Sequence, residues 1–146
     1  MKINHTHLNI ISAVGSIFLF IVLSVSIYWL FIQKDIMLMK NADNIQVSKE
    51  VYKPGERIEY TFSYCKDREG VAVVHRTLID SIKIAFAEFN SSLPVGCKTV
   101  TVVDLIVPAF LTPSDELYHL EGTAIYKINP LRDQYVKWRS ETFKIK

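Results

Sequence analysis

The stretch Ile10–Ile32, IISAVGSIFLFIVLSVSIYWLFI, runs 23 residues without a charged side chain. A bilayer's hydrocarbon core is about 30 Å thick and needs about 20 helical residues at 1.5 Å rise each. A helix packed in a globular domain carries a polar stripe, whereas only scattered serines interrupt this segment. A cleaved leader has a shorter apolar region and ends in small residues. This one ends in Tyr28, Trp29, Leu30 and Phe31, too bulky for a peptidase site. The expectation is an uncleaved signal-anchor, a single transmembrane helix over residues 10–32. Tyr28 and Trp29 stand near one end, as interfacial aromatics do. Ser12, Ser16, Ser24 and Ser26 can satisfy their hydroxyls on carbonyls of their own helix. Ser12, Gly15 and Ser16 form a small-residue face that a second helix could approach.

Flanking charge and domain chemistry give opposite orientations. Lys2 precedes the helix, while Lys34, Lys40 and Lys49 follow it, which by a positive-inside count places the C-terminal part in the cytoplasm. Long domains translocate largely regardless of such charges. A cysteine pair and an all-β pattern favour the other arrangement, N-terminus inside and C-terminal domain extracytoplasmic. The segments are then an N-terminal flank (1–9), the transmembrane helix (10–32), a juxtamembrane linker (33–47) and a single β-sandwich domain (48–146). The first part of the linker reads as a continuation of the helix, broken at Asn41–Asn44. The whole chain carries a net charge of +2 with both signs interspersed, so it lacks the clustered footprint of a nucleic-acid binder.

Beyond the linker the pattern is that of strands. Ile58, Tyr60, Phe62 and Tyr64 alternate with Glu59, Thr61 and Ser63, the period of a half-buried strand. Pro54-Gly55 is a turn signal that separates it from a first strand over Ser48–Tyr52. Gly70–Asp80 and Lys98–Val107 are rich in β-branched residues, and Asn90–Gly96 reads as a loop. Tyr118–Ile128 and Tyr135–Ile145 form a closing hairpin around Asn129–Asp133, with Trp138 turned to the core. Thr77–Phe89 fits both a strand alternation and a helical stripe, and its β-branched flanks favour strand.

About seven strands at regular spacing indicate an all-β, two-sheet sandwich. The run Tyr52-Lys53-Pro54-Gly55-Glu56 before an alternating strand, together with the closing pair around Tyr126 and Trp138, resembles immunoglobulin-like modules on cell and phage surfaces. The resemblance spans most of residues 48–146 and implies an immunoglobulin-like fold. Antibody hallmarks are absent: no Trp lies between the cysteines, which stand only 32 positions apart.

Cys65 and Cys97 are the only cysteines. Outside the cytoplasm such a pair forms a disulfide, here expected to tie two loop ends at one pole of the sandwich. In a cytosolic domain the same residues would be free thiols. His75 and His119 lack ligands at metal-site spacing. Glu116-x-x-His119 lacks the second copy that a di-iron bundle needs. No nucleophile elbow, phosphate loop or HExxH occurs. Asp80, Asp104, Asp115 and Glu116 fit strand-end or turn positions. Asn4 and Asn90 begin Asn-x-Ser/Thr sequons, which matter only in a eukaryotic secretory setting. The Asn129–Asp133 turn, with Asn129, Arg132 and Asp133, is the candidate binding loop, because loops on rigid sandwiches carry recognition.

These readings lead to a non-catalytic membrane-anchored binding or assembly module at a bacterial envelope, host- or phage-encoded. It needs no cofactor, metal or small-molecule substrate. Its partners are membrane lipid along residues 10–32 and a protein at the envelope. The alternatives are an envelope enzyme or phage lysis factor, and a cytoplasmic-facing membrane adaptor.

Overall fold

The structure, a computed structural model, describes residues 5–32 and 34–146, with side chains from Ser12 to Phe31 and from Lys34 onward. Lys2, the Asn4 sequon and Gln33, all considered above, lie outside the described residues. The chain groups into two compact units: one holds the N-terminal helix and Asn129–Arg132, the other Asp35–Ile128 and Asp133–Lys146.

In the first unit, helix α1 spans His5–Ile27 and continues through a five-residue π-helical stretch, Tyr28–Ile32. The window Ser12–Phe31 has a mean hydropathy of 2.3, and none of it is buried against protein. This is one N-terminal helix long and apolar enough to cross a membrane. Three of its serines are satisfied internally: Ser16, Ser24 and Ser26 donate to the carbonyls of Ser12, Phe20 and Val22 at 2.8–2.9 Å. These three hydroxyls therefore need no water.

The second unit is mostly β. The strand segments in order are β1 (Met37–Lys40), β2 (Gln46–Val47), β3 (Val51–Tyr52), β4 (Arg57–Lys66), β5 (Ala72–Ile79) and β6 (Lys83–Ala85). They are followed by β7 (Phe89–Ser91), β8 (Gly96–Ile106), β9 (Leu117–Asn129), β10 (Arg132–Arg139) and β11 (Phe143–Ile145). They form two sheets. In the first, β4 is flanked along its length by β8 on one edge and by β1 and then β2 on the other. In the second, β9 pairs with β5 on one edge and with β10 and β11 on the other. Strands β6 and β7 extend β5, and β3 joins β11 in parallel.

The sheets are stitched along one side where Ile45 bridges Ser140 in parallel. Ile45 N–H donates to the Arg139 carbonyl at 2.9 Å, and Glu141 N–H donates to the Ile45 carbonyl at 2.9 Å. Between the sheets, inward residues of β4 (Ile58, Tyr60, Tyr64) face Leu78, Leu120, Tyr126 and Trp138. Tyr60 and Trp138 stack with centroids 5.2 Å apart. Full burial of such a side chain contributes about 1.5–3 kcal/mol, so this layer dominates the domain's stability.

Two local expectations differ from the structure, while the preference for strand over helix in Thr77–Phe89 agrees with it. Met37–Lys40 does not continue the helix; it pairs antiparallel with Ser63–Lys66 as strand β1. Its backbone is fixed by a residue far along the chain: Gln134 Oε1 accepts from the N–H groups of Ile36 (2.7 Å) and Met37 (3.2 Å). The expected strand Ser48–Tyr52 is shorter, with only Val51–Tyr52 extended in a ladder. Thr77–Phe89 holds no helix: Thr77–Ile79 folds back on Lys83–Ala85 as a tight hairpin, and Phe89 begins β7. Eleven short segments thus replace the expected seven, because several long runs are paired piecewise by two neighbours.

Candidate functional site

Cys65 and Cys97 are bonded to each other. They sit directly opposite in the β4–β8 ladder, with Cα atoms 3.9 Å apart. The bridge therefore lies within one sheet, near the end of both strands, and not between two loops. It heads a row of cross-strand pairs on the outer face of this sheet. Ser63 pairs with Thr99 at 2.7 Å and Thr61 with Thr101 at 2.9 Å. Cross-strand pairs of this kind pin register.

The turn Asn129–Asp133 connects β9 and β10. Asn129 Oδ1 accepts the N–H of Leu131 at 2.8 Å, and its Nδ2 donates to the Trp29 carbonyl at 2.8 Å. Pro130 and Leu131 are exposed at the tip, and Arg132 is half-buried. Asp133 belongs to the second unit and is exposed. Of the three residues expected to form one contact loop, Asn129 and Arg132 thus group with the helix and Asp133 does not.

Of the carboxylates considered as acid/base candidates, Asp80 and Glu116 both act on Tyr118, whose phenol burial pushes up with these two carboxylates adding to the rise, and each carboxylate also has a structural partner. Asp80 accepts the N–H of Ile82 and closes the β5–β6 turn. Asp115 pairs with Lys146 at 3.0 Å, and this hydrogen bond, with the nearby Lys144, holds its carboxyl below the usual aspartate range. Glu116 accepts from Ser81 at 3.3 Å. The histidines are engaged separately, His75 with Glu88 at 2.9 Å and His119 with Glu121 at 3.3 Å. Among the described residues no three His, Cys, Asp or Glu side chains converge as a metal set would.

Asp104 takes part in a polar cluster that bridges the sheets. Arg76 on β5 is only 6% exposed and donates from Nη1 to Asp104 Oδ1 at 2.5 Å and to the Tyr60 hydroxyl at 3.4 Å. Its guanidinium lies 4.2 Å over the Phe89 ring. The β4–β8 register shifts between Ile58–Leu105 and Tyr60–Val102, an extra residue on β8 at Val103–Asp104. Such bulges re-aim a side chain, and here the bulge accompanies the reach of Asp104 to Arg76. Burial pushes the Tyr60 phenol up, with Arg76 pulling against it.

Lys66 forms a second buried polar feature. It is 2% exposed, and Nζ donates to the carbonyls of Gly70 and Leu93 at 2.7 Å each. It lies 5.5 Å from the Tyr126 ring centroid. Burial pulls its pKa down, partly offset by Glu69. Arg76, Lys66 and Gln134 were not marked as special by sequence reasoning. Strand parity was the available signal: Lys66 follows Tyr60, Phe62 and Tyr64 at inward positions, and Arg76 lies between Val74 and Leu78.

The described residues also form concavities. A groove of about 1210 Å³ lies between residues 45–51 and 140–144, lined by Asp43, Lys49, Glu50, Arg139, Glu141 and Lys144 among others. Main-chain bonds join the two segments beside it, Glu141 N–H to the Ile45 carbonyl and Lys144 N–H to the Glu50 carbonyl. Its mixed charge suits no single ion. A smaller apolar cavity of about 80 Å³ lies between the sheets, against Met39, Phe62, Val74, Phe89 and Val102.

No family model matches the sequence, and no curated protein matches it. Among solved structures, the chain is similar to the sporulation control protein Spo0M of Bacillus subtilis, at 10% identity and a TM-score of 0.37, covering 77% of this chain and 50% of that one. It is also similar to part of a β-glucosidase, EmGH1, of Erythrobacter marinus, at 13% identity and a TM-score of 0.32, covering 72% of this chain and 15% of the other. A β-glucosidase of Listeria innocua matches at 15% identity and a TM-score of 0.33, with 74% of this chain and 16% of that chain covered. The chain thus spans half or less of each of these proteins.

Proposed function

We propose that this chain is a single-pass membrane protein that holds an immunoglobulin-like β-sandwich outside the cytoplasm, as a non-catalytic binding or assembly module of a bacterial envelope, host- or phage-encoded. The observation that carries this reading is the Cys65–Cys97 disulfide, in a β domain that directly follows an uncharged 20-residue span. Disulfides persist in oxidising compartments and are rare in the cytosol. The envelope partner is a protein.

A membrane-impermeant maleimide applied to whole cells, before and after reduction, tests the reading. Labelling of Cys65 and Cys97 only after reduction is the expected result. Labelling that needs lysis of the membrane and no reductant would overturn it and favour the cytoplasmic-facing adaptor. Protease added to intact spheroplasts gives an independent check: the domain should be digested or released without rupture of the membrane.

A further inference from the structure

The first unit contains more than a helix. The last four carbonyls of any helix lack donors within it, and an unsatisfied carbonyl is costly in hydrocarbon. The helical segment ends at Ile32, so the Trp29 carbonyl is one of these four. It receives a hydrogen bond from Asn129 Nδ2 at 2.8 Å, one hundred positions along the chain. The same Asn129 amide accepts Leu131 N–H through Oδ1 at 2.8 Å and so shapes the turn.

This contact sets a depth. The apolar span ends at Phe31, two residues beyond Trp29, or about 3 Å at 1.5 Å rise per residue. A side chain that reaches the Trp29 carbonyl is therefore at the boundary between acyl chains and headgroups. Leu131, two residues from Asn129, cannot be far from the same level. It is 55% exposed, and Pro130 beside it is exposed as well. Around the helix end Tyr28, Leu30 and Phe31 are also open, at 50%, 40% and 78%. Tight turns call for Gly, Asn or Asp at their tips; a bare leucine contributes nothing to the turn itself.

We propose that the Asn129–Arg132 hairpin tip is a second membrane contact, with Pro130 and Leu131 seated in the interface of the bilayer that α1 spans. The proposal rests on the membrane-anchor reading above. Its occupant is the lipid surface, because the tip is continuous with the helix end through the Asn129–Trp29 bond. Interfacial contacts of this type combine a few apolar side chains with a neighbouring aromatic belt, and Trp29 and Tyr28 supply that belt.

The test uses the full-length protein in phosphatidylcholine–phosphatidylglycerol vesicles, with the native disulfide intact and one environment-sensitive maleimide probe per variant. Probes go on Leu131→Cys, on Phe20→Cys in the helix, and on Leu117→Cys at the opposite end of β9. The expected result is blue-shifted emission at positions 20 and 131, quenched by nitroxides on the acyl chains. The position 117 probe should emit as in water and be quenched by aqueous iodide. A water-like probe at 131 beside a lipid-buried probe at 20 would overturn the hairpin contact and leave the anchor standing. Water-like probes at both positions would overturn the anchor and the hairpin contact together. In an Asn129→Ala background the position 131 probe should shift toward water; unchanged burial there would overturn the part given to the amide.

Discussion

Gly122 on β9 and the indole of Trp138 on β10 share one space. A Cβ placed on Gly122 would come within 2.1 Å of Trp138 Cε2 and 2.2 Å of Cζ2. From the other side Tyr60 of the facing sheet stacks on the same ring at 5.2 Å. The indole thus fills the gap left by a residue without a side chain, an arrangement that also offsets the weakness of a glycine in a strand.

From this follows the first prediction. Gly122→Ala forces the ring out of its slot, and overpacking of this kind costs about 1–3 kcal/mol. Urea denaturation followed by near-ultraviolet circular dichroism should show a lower midpoint and an altered aromatic signal. Adding Trp138→Phe should make the alanine less costly than it is alone, because the clash and the ring are coupled. Strict additivity of the two changes would refute the shared-space account.

The Arg76–Asp104 pair gives a second, asymmetric expectation. Arg76 is buried while Asp104 is 42% exposed. Removing one partner of a buried pair costs about 3–5 kcal/mol, and the solvent already touching Asp104 places Asp104→Ala at or below the lower end of that range. Arg76→Met in the Asp104→Ala background should restore part of the loss, since it removes the uncompensated cation. Thermal melts of the native protein and these two variants decide it: a double variant less stable than Asp104→Ala would show that the guanidinium's packing on Phe89 outweighs its charge.

Legibility of this fold in the sequence tracks how local its determinants are. The uncharged run at 10–32 and the alternation at Ile58–Tyr64 are local, and both correspond to elements in the structure, α1 with its π-helical extension and strand β4. Trp138 is buried, as expected of a large aromatic. By contrast, Met37–Lys40 has no alternation of its own; its conformation comes from β4 and from Gln134, nearly a hundred residues away. The position of the disulfide was equally hidden, because the facing of Cys65 and Cys97 depends on the β4–β8 register, which no spacing rule shows. In the candidate contact turn, Asn129 stood out as a turn residue, while its bond to the Trp29 carbonyl depends on chain segments that only tertiary structure brings together.

A third prediction concerns the disulfide. It closes a loop of 32 positions, which in the chain-entropy account stabilises the fold by about 3–4 kcal/mol. The Ser63–Thr99 and Thr61–Thr101 pairs keep the same two strands in register without it. The variant Cys65→Ser with Cys97→Ser should therefore retain the native far-ultraviolet spectrum and lose stability by about that amount. Loss of the folded spectrum at room temperature would mean that the ladder does not hold without the covalent link.

Lys66 carries the last prediction, and it is one of pH. Burial lowers the folded-state pKa of this ammonium below its unfolded value, which is about 10.4. Between those two values the unfolded chain binds more protons, so stability rises with pH across that interval. Above about pH 10 tyrosine ionisation intrudes; burial pushes Tyr64 and Tyr126 up, which acts in the opposite direction. Measurements therefore belong between about pH 7 and pH 9.5, below both unfolded titrations. Lys66→Met preserves much of the stem but leaves the Gly70 and Leu93 carbonyls without their donor. Hydrogen bonds from a charged group contribute about 1.5–3 kcal/mol each, partly offset here by relief of the buried charge, so a net loss of about 2–4 kcal/mol is expected at pH 7. Urea denaturation across the range should show the difference between the native protein and the methionine variant widening as pH rises. A constant difference would mean that the Lys66 ammonium is as well solvated in the folded domain as in the unfolded chain.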